Sequence, residues 1–429
     1  MSETLTDPVG PSSSLDQPRP VAIRPAPVAP GERILLLDIL RGFAVFGILV
    51  VNILYFSGPL EWVVAPRWTE VWNRVANALI TILFAGKFYS IFSILFGIGF
   101  AVQMIRSEER GLPLAGRYLR RLFVLFIIGI VHASLIWYGD ILHTYAFLGV
   151  FLLVFRRIQK ELLLVLAFLS ALVPVALFAL GALAMSFAPD GALAGQPETL
   201  GEAFGTAESL RVYATGSWSE VTAQRIRDWV QLAGYSLFFM PSIFAMFLVG
   251  LWAGRSGVLR DLTARRPLFK RLLMITLPIG LAGNVAVYVL RSMADPMLPT
   301  WTGALSQLAY SIGVPFLALA YIAAIALMVA GGSAAFSALA PVGRMALTNY
   351  LLHSIVCTLI FYSYGLGFYG QVGPWIAIPM ALVIFILQIP LSAWWLGRFR
   401  FGPVEWLWRT ATYGKAQPMK IERASVPSF

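Results

Sequence analysis

The sequence predicts an all-α integral membrane protein, a polytopic bundle of about ten transmembrane helices. Of its 429 residues, 59% are hydrophobic and only 12% are charged, whereas soluble domains have roughly 25% charged residues. The mean hydropathy is +0.77, and apolar runs long enough to cross a bilayer recur along the chain. The expected partner is therefore a lipid bilayer. A nucleic-acid partner is excluded because the chain has no long basic segment interleaved with aromatic residues.

The composition divides the chain into five regions. Residues 1–32 are rich in Pro, Ser and Ala and cannot bury a core, so they are predicted to form a disordered cytoplasmic tail. The other regions are an N-terminal transmembrane half (33–187), an acidic extracytoplasmic loop (188–232), a C-terminal transmembrane half (233–400) and a cytoplasmic tail (401–429). The predicted helices lie at 34–56, 76–105, 118–138, 141–156, 161–187, 233–254, 270–291, 305–330, 344–364 and 374–397.

The helix count has a range of nine to eleven, because the fourth helix is short for a span and the second is expected to break at Gly86. Loop charges support a count of ten. Arginine and lysine are concentrated in alternate loops and in the C-terminal tail, whereas the 188–232 loop is acidic. By the positive-inside rule both termini are cytoplasmic. The acidic loop is either a lid over an external mouth or a plain connection.

The first helix carries three polar residues that share one face. Asp38 and Arg41 are three residues apart and are expected to pair, and Asn52 returns to nearly the same face. A charged group in a spanning helix costs on the order of 3 kcal/mol unless it finds a partner or water. This polar stripe is therefore expected to face the bundle interior, where it would bind a substrate or donor.

The third and fourth helices carry the strongest catalytic candidates. His132 lies near the end of the third helix, and Asp140, His143 and Tyr145 follow across a tight turn. The turn is expected to bring these side chains together near one mouth. A carboxylate beside a histidine orients the ring and raises its basicity, as a general base requires. The alternatives are a helix N-cap for Asp140 and a hydrogen bond between helices for His132.

A second polar stripe is predicted in the ninth helix. Asn349 and His353 are four residues apart, with Arg344 about one turn earlier, so they would either line the polar core or pair helices. Cys357, the one cysteine, is interpreted as a small core residue and rules out an intramolecular disulfide. No metal-ligand spacing occurs, so neither a metal nor a bound cofactor is expected.

Several other residues have mainly structural interpretations. Lys87 is expected either to snorkel to an interface or to face the polar core. Gly97 and Gly99 are expected to permit close helix contact. Glu405 and Arg409 have ordinary salt-bridge spacing on a C-terminal helix.

Four blocks of sequence resemble one bacterial family in the same order along the chain. They are LLDILRGFAVFGILVVNI, KFYSIFSILFGIGFA, RRLFVLFIIGIVHASLIWYGDILHTYAFLG and the stretch from GRMALTNYLLHSI to FGPVEWLWRTATYGKAQPM. The chain is thereby identified as a member of the YeiB-like family, bacterial membrane proteins that carry domain of unknown function 418. The resemblance implies a place in the bacterial inner membrane. Its front also resembles transmembrane acyltransferases, including the acyltransferase-three proteins and heparan-alpha-glucosaminide N-acetyltransferase.

This wider resemblance implies acyl transfer from a coenzyme A donor. The Asp38 and Arg41 pair matches the shared opening, but Asn52 stands where acyltransferase-three proteins have a histidine. His132 with Asp140 would therefore have to act as the base, on a small-molecule or glycan acceptor. Two alternatives remain open: a transporter or exporter that uses the same polar groups, and a helical scaffold. The sequence indicates no oligomeric state.

Overall fold

The computed structural model describes residues 35–189, 197–259 and 261–421, and these fold almost entirely into helices. The described residues belong to one compact unit, whereas the predicted tail over 1–32 lies outside them. The helices are α1 Leu35–Ser57, α2 Glu61–Val64, α3 Val71–Leu79, α4 Lys87–Glu109, α5 Ala115–Leu135, α6 Leu142–Phe155, α7 Lys160–Ser186, α8 Leu200–Phe204, α9 Thr206–Thr215, α10 Trp218–Ser256, α11 Arg266–Met293, α12 Trp301–Ala330, α13 Leu339–Arg344, α14 Ala346–Phe361, α15 Pro374–Leu396 and α16 Pro403–Tyr413.

The prediction of an all-α polytopic membrane bundle is confirmed. In the described part of the chain, 8 helical segments are long and apolar enough to cross a membrane. The two other predicted spans are also helical but shorter: α6 has 14 residues and α14 has 16. About 20 apolar residues are needed for a full span, so these two helices are shorter than the bilayer core is thick.

Helix α10 differs most from its predicted bounds. The predicted helix begins at 233, whereas α10 begins at Trp218 and continues without interruption to Ser256, a length of 39 residues. Ser217 caps its first turn, because its hydroxyl accepts from the Glu220 amide while the Glu220 carboxylate accepts from the Ser217 amide. The predicted start at 233 is therefore wrong, since the amphipathic segment before it forms the first turns of the same helix.

The predicted break at Gly86 is confirmed. A π-helical turn, Ile80–Phe84, precedes Gly86, whose positive φ of 89° begins the new direction of α4. The fully buried Lys87 donates hydrogen bonds to the carbonyls of Thr81 at 2.7 Å and Ala85 at 2.8 Å. A broken helix leaves carbonyls without partners in an apolar setting. Lys87 satisfies two of them and does not snorkel to an interface.

Glycines allow α4 and α10 to approach closely. A Cβ on Gly97 of α4 would lie 2.1 Å from the carbonyl oxygen of Phe247 in α10, and one on Gly250 would lie 2.1 Å from that of Ile94. The prediction for Gly97 is confirmed. A Cβ on Gly99 would meet no heavy atom within 4 Å, so the prediction of a close contact there is wrong.

Candidate functional site

A hydrogen-bonded chain of three side chains connects α5, the turn after it, and α14. The Asp140 carboxylate lies 2.8 Å from Nδ1 of His132, and Nε2 of the same ring lies 2.8 Å from the hydroxyl of Ser354. His132 and Ser354 are each 1% exposed. The predicted juxtaposition of His132 and Asp140 is therefore present, with a serine that the sequence did not single out as the third member.

Local backbone geometry places Asp140 beside His132. After α5 ends at Leu135, the chain turns and enters α6 at Leu142, so α6 begins against the last turns of α5. Gly129 makes this approach possible, since a Cβ there would lie 2.5 Å from the amide nitrogen of His143 and 2.8 Å from Oδ2 of Asp140. Gly129 is three residues before His132 and shares its face.

The charge on Asp140 sets the proton positions of the site. Burial opposes ionisation of this carboxyl, but hydrogen bonds from His132 and His143 outweigh it and lower the pKa of Asp140 below its usual range. An ionised carboxylate only accepts hydrogen bonds, so Nδ1 of His132 carries a proton. In the neutral ring Nε2 then holds a lone pair, and Ser354 is the donor to it.

The second carboxylate oxygen of Asp140 forms hydrogen bonds with His143. Oδ2 accepts from the His143 amide at 3.0 Å and lies 2.8 Å from Nδ1 of the His143 ring. Asp140 thus caps the first turn of α6 and contacts His132 at the same time. The helix N-cap, which the sequence offered as an alternative to pairing with His132, is compatible with that pairing. His143 also packs edge-on against Trp229 of α10, with ring centroids 5.6 Å apart.

The segment before the membrane part of α10 covers this end of the bundle. Arg225, fully buried, donates to the carbonyl oxygens of Ser134 at 3.3 Å and Leu135 at 2.8 Å, the last residues of α5. The α9 residue Tyr213 is also fully buried and packs on Tyr362, with centroids 4.5 Å apart. Helix α9 and the first turns of α10 therefore form a roof over the site; we call these residues, 206–229, the roof.

Arginines gather at the other end of α5. Asp38 and Arg41 of α1 pair at 2.8 Å, as predicted. Arg121 in α5 lies within electrostatic range of both Arg41 and Arg409, and its guanidinium stacks 4.3 Å from the centroid of the Trp408 ring. Two guanidinium groups within electrostatic range of a third make this end of the bundle suited to an anion.

The structure places several predicted site residues elsewhere. The Tyr145 hydroxyl donates to the carbonyl of Tyr89 at 2.8 Å and lies 2.8 Å from the Ser93 hydroxyl, which ties α6 to α4. Asn52 is half-buried and makes no hydrogen bond among the described residues. Neither residue contacts His132.

Asn349 and His353 form a separate network between helices. His353 is hydrogen-bonded to the Gln388 side chain of α15, and the Asn349 amide donates to the Val342 carbonyl at 3.1 Å and to Ser392 at 3.0 Å. These contacts pair α14 with α13 and α15, the structural role considered for this stripe. His353 therefore points away from the site that its neighbour Ser354 joins.

Glu405 has a role that its spacing to Arg409 does not reveal. Its carboxylate accepts from the amides of Leu347 at 2.7 Å and Thr348 at 3.1 Å, and from the Thr348 hydroxyl. These are first-turn groups of α14, which otherwise lack partners. Helix α16 thus anchors the helix that carries Ser354.

Within 35–189, 197–259 and 261–421 no group of three or more His, Cys, Asp or Glu side chains is arranged to hold a metal ion.

Trp137 has an unpaired polar group beside the site. The indole N–H of Trp137, a residue 2% exposed, has no hydrogen-bond partner among the described residues. The Trp137 ring centroid lies 6.3 Å from that of His132.

Comparison with known proteins identifies relatives along nearly the whole chain. Residues 253–415 match the family model described as a protein of unknown function, DUF418. The uncharacterized protein YxaH of Bacillus subtilis is 37% identical over 92% of this chain and 97% of its own length. The uncharacterized protein YeiB of Escherichia coli is 30% identical over 90% of this chain and 98% of its own. No solved structure matches.

Proposed function

This chain belongs to the YeiB-like DUF418 family of membrane proteins, and on that premise we propose that it transfers an acyl group from a coenzyme A thioester to a hydroxyl or amine acceptor. The observation that carries the proposal is the buried chain from Asp140 through His132 to the Ser354 hydroxyl. It presents the unprotonated nitrogen of an imidazole to a hydroxyl, which is what general-base catalysis of acyl transfer requires.

The electrostatics of this site support a base more than a structural link. Asp140 is held ionised by two histidines, so it fixes the His132 tautomer and stabilises the imidazolium that forms when the ring takes a proton. A hydrogen bond between helices needs no buried carboxylate, and burying one is costly unless it is fully paired. A helical scaffold therefore does not require this arrangement.

The arginine end of α5 supports a phosphate-bearing donor. Arg121 lies within electrostatic range of both Arg41 and Arg409 there, and guanidinium groups match phosphate oxygens in geometry and charge. Arg121 and His132 are eleven residues apart on α5, a rise of about 16 Å. An extended thioester donor that binds its phosphates at Arg121 would have to span about this distance to reach His132.

The acceptor is a small molecule or glycan that approaches at the roof end. The site is closed, since His132 and Ser354 are 1% exposed, so the roof must open for an acceptor to enter. Exclusion of water before that opening protects the activated acyl group from hydrolysis. We assign the arginine end to the cytoplasmic face of the inner membrane, because the positive-inside rule puts the basic loops on that side.

The test uses the purified protein in detergent with acetyl-coenzyme A and a long-chain thioester as probes. Calorimetry should show saturable binding that is lost in Arg41→Ala and retained in Arg120→Ala, whose exposed side chain lies one position from Arg121. Equal thioester binding by wild type and Arg41→Ala would contradict the proposed donor site. Absence of binding by both thioesters, together with gradient-driven uptake into vesicles, would replace the enzyme with the transporter.

A further inference from the structure

We propose that Ser354 is the nucleophile of this protein and carries the acyl group as an ester between donor and acceptor. The inference rests on the proposed acyl transfer and deepens it, because the same base could instead activate the acceptor directly. The sequence offered no reason to select Ser354, which lies in an apolar helix beside the more conspicuous His353.

The geometry is that of an activated serine. The hydroxyl oxygen of Ser354 lies 2.8 Å from Nε2 of His132, and Nδ1 on the far side of the ring lies 2.8 Å from Asp140. A nucleophile, a base within hydrogen-bond reach and a third group that orients the base are the three parts of such a site. They are recognised by geometry and not by order in the chain.

Ser354 differs from the helical serines Ser90 and Ser134 in the partner of its hydroxyl. Ser90 donates to the carbonyl of Gly86 and Ser134 to that of Ile130, each four residues earlier. This backbone bond is the usual way in which a helical serine satisfies its hydroxyl in an apolar setting. Among the described residues Ser354 instead has the His132 ring as its partner, so its proton is directed at the base.

The candidate donor for the developing oxyanion is Trp137, whose ring centroid lies 6.3 Å from that of His132. The indole N–H of Trp137 is buried and unpartnered within the described part of the chain, and Trp137 stacks on Phe56 with centroids 4.0 Å apart. A buried N–H without a partner carries a free-energy cost. The carbonyl oxygen of a bound acyl group would supply the missing acceptor and be stabilised by it.

The reaction balances without any further reagent. His132 takes the Ser354 proton as the Oγ–C bond forms, and the C–S bond of the thioester breaks. The imidazolium then protonates the leaving thiolate, which releases free coenzyme A and leaves an ester on Ser354. In the second half, His132 takes the proton of the acceptor hydroxyl as that oxygen bonds to the ester carbonyl carbon. The bond from that carbon to Oγ of Ser354 then breaks, the acyl group leaves on the acceptor, and His132 returns the proton to Oγ.

The experiment is trapping of this ester on the full-length protein. Wild type, Ser354→Ala and Ser90→Ala are incubated with acetyl-coenzyme A without acceptor, and proteolytic peptides are analysed by mass spectrometry. We expect an acetyl group on Ser354 in wild type and in Ser90→Ala, which removes a buried serine whose hydroxyl donates to the Gly86 carbonyl. In His132→Gln the adduct should fall at least tenfold.

A second variant tests the role of residue 354 independently of whether Ser354→Ala folds. Ser354→Cys keeps a nucleophile of similar size, and its adduct would be a thioester that neutral hydroxylamine cleaves, whereas the wild-type oxyester needs alkaline hydroxylamine. This change in chemical sensitivity places the adduct on residue 354. An adduct on any other residue in wild type would overturn the inference.

The inference and the proposed function fail in different ways. Transfer by folded Ser354→Ala at the wild-type rate would overturn the acyl-serine and leave acyl transfer standing with His132 acting on the acceptor. Absence of coenzyme A release by wild type with every thioester tested would overturn both. Transfer that requires both Ser354 and His132, with parallel lines in a double-reciprocal plot, would support the ester.

Discussion

The imidazole Nε2 of His132 and the hydroxyl of Ser354 are 2.8 Å apart although 222 positions separate them in the chain. They come from α5 and α14, and each helix is fixed by a contact outside the pair. Arg225 of the roof holds the end of α5, and Glu405 of α16 holds the start of α14. Arg225 and Glu405 thus hold the two helices that bring His132 and Ser354 together.

We expect Asp140→Asn to abolish most of the transfer activity. An asparagine can donate to Nδ1 through its amide, which would place the ring proton on Nε2 and remove its ability to act as a base. Losses of a general base typically cost about 10²–10⁴-fold in rate. The measurement is coenzyme A release at equal amounts of folded protein, and His353→Gln is the control because His353 contacts Gln388 and not this site.

We expect Gly129→Ala to reduce activity almost as strongly as Asp140→Asn. The new Cβ would lie 2.8 Å from Oδ2 of Asp140 and 2.5 Å from the amide nitrogen of His143, so the turn must move away from His132. Gly116→Ala in the same helix is the matched control, since no heavy atom lies within 4 Å of its Cβ position. Equal activity of the two variants would show that the turn tolerates displacement.

Removal of Arg225 should destabilise the roof end. In Arg225→Ala the carbonyls of Ser134 and Leu135 lose their buried donor, at a cost of about 1–3 kcal/mol. Arg227→Ala, two residues on, removes a side chain that is 62% exposed and should change the melting temperature little. The measurement is thermal unfolding in detergent; a smaller shift for Arg225 than for Arg227 would contradict the proposed support.

Glu405→Ala should destabilise the protein through α14. The amides of Leu347 and Thr348 would lose their acceptor, and loss of a helix cap costs about 0.5–2 kcal/mol. Glu161→Ala serves as the control, because this exposed residue lies in the first turn of α7. Hydrogen exchange localised to α14 distinguishes the expected fraying from a general loss of stability, and unchanged exchange there would refute the role of Glu405.

Gly97→Ala should lower stability by about 1–3 kcal/mol, since overpacked sites rarely relax fully. Its Cβ would lie 2.1 Å from the Phe247 carbonyl oxygen, which belongs to the backbone of α10. Gly99→Ala differs by two positions and meets no heavy atom within 4 Å, so it should be neutral or slightly stabilising because alanine favours the helix. The melting temperatures of the two variants provide the comparison.

The helices were predictable because apolar runs and breaks are local features. The break at Gly86 follows from residue type and neighbours alone. The sequence could not distinguish Gly97, which contacts α10, from Gly99, which meets no heavy atom within 4 Å. The start of α10 was not predictable in this way, because the amphipathic stretch before 233 packs against α5 through Arg225, a contact between residues distant in the chain.

The site was predictable only in its local half. His132 and Asp140 are eight residues apart, and the tight turn between them limits where they can lie. Ser354 could not be selected from the sequence, because nothing in an apolar helix distinguishes one serine from another until tertiary packing shows which residue it faces. The same is true of Glu405, whose partners lie 57 and 58 positions earlier.

The time course of free coenzyme A release from an acyl-coenzyme A, compared for purified wild type and His132→Gln, tests most directly whether His132 is the base for acyl transfer. We expect an initial release stoichiometric with the enzyme, followed by turnover when acceptor is added, and loss of both phases in the variant. Equal release by folded wild type and His132→Gln would contradict the role of His132 as the base.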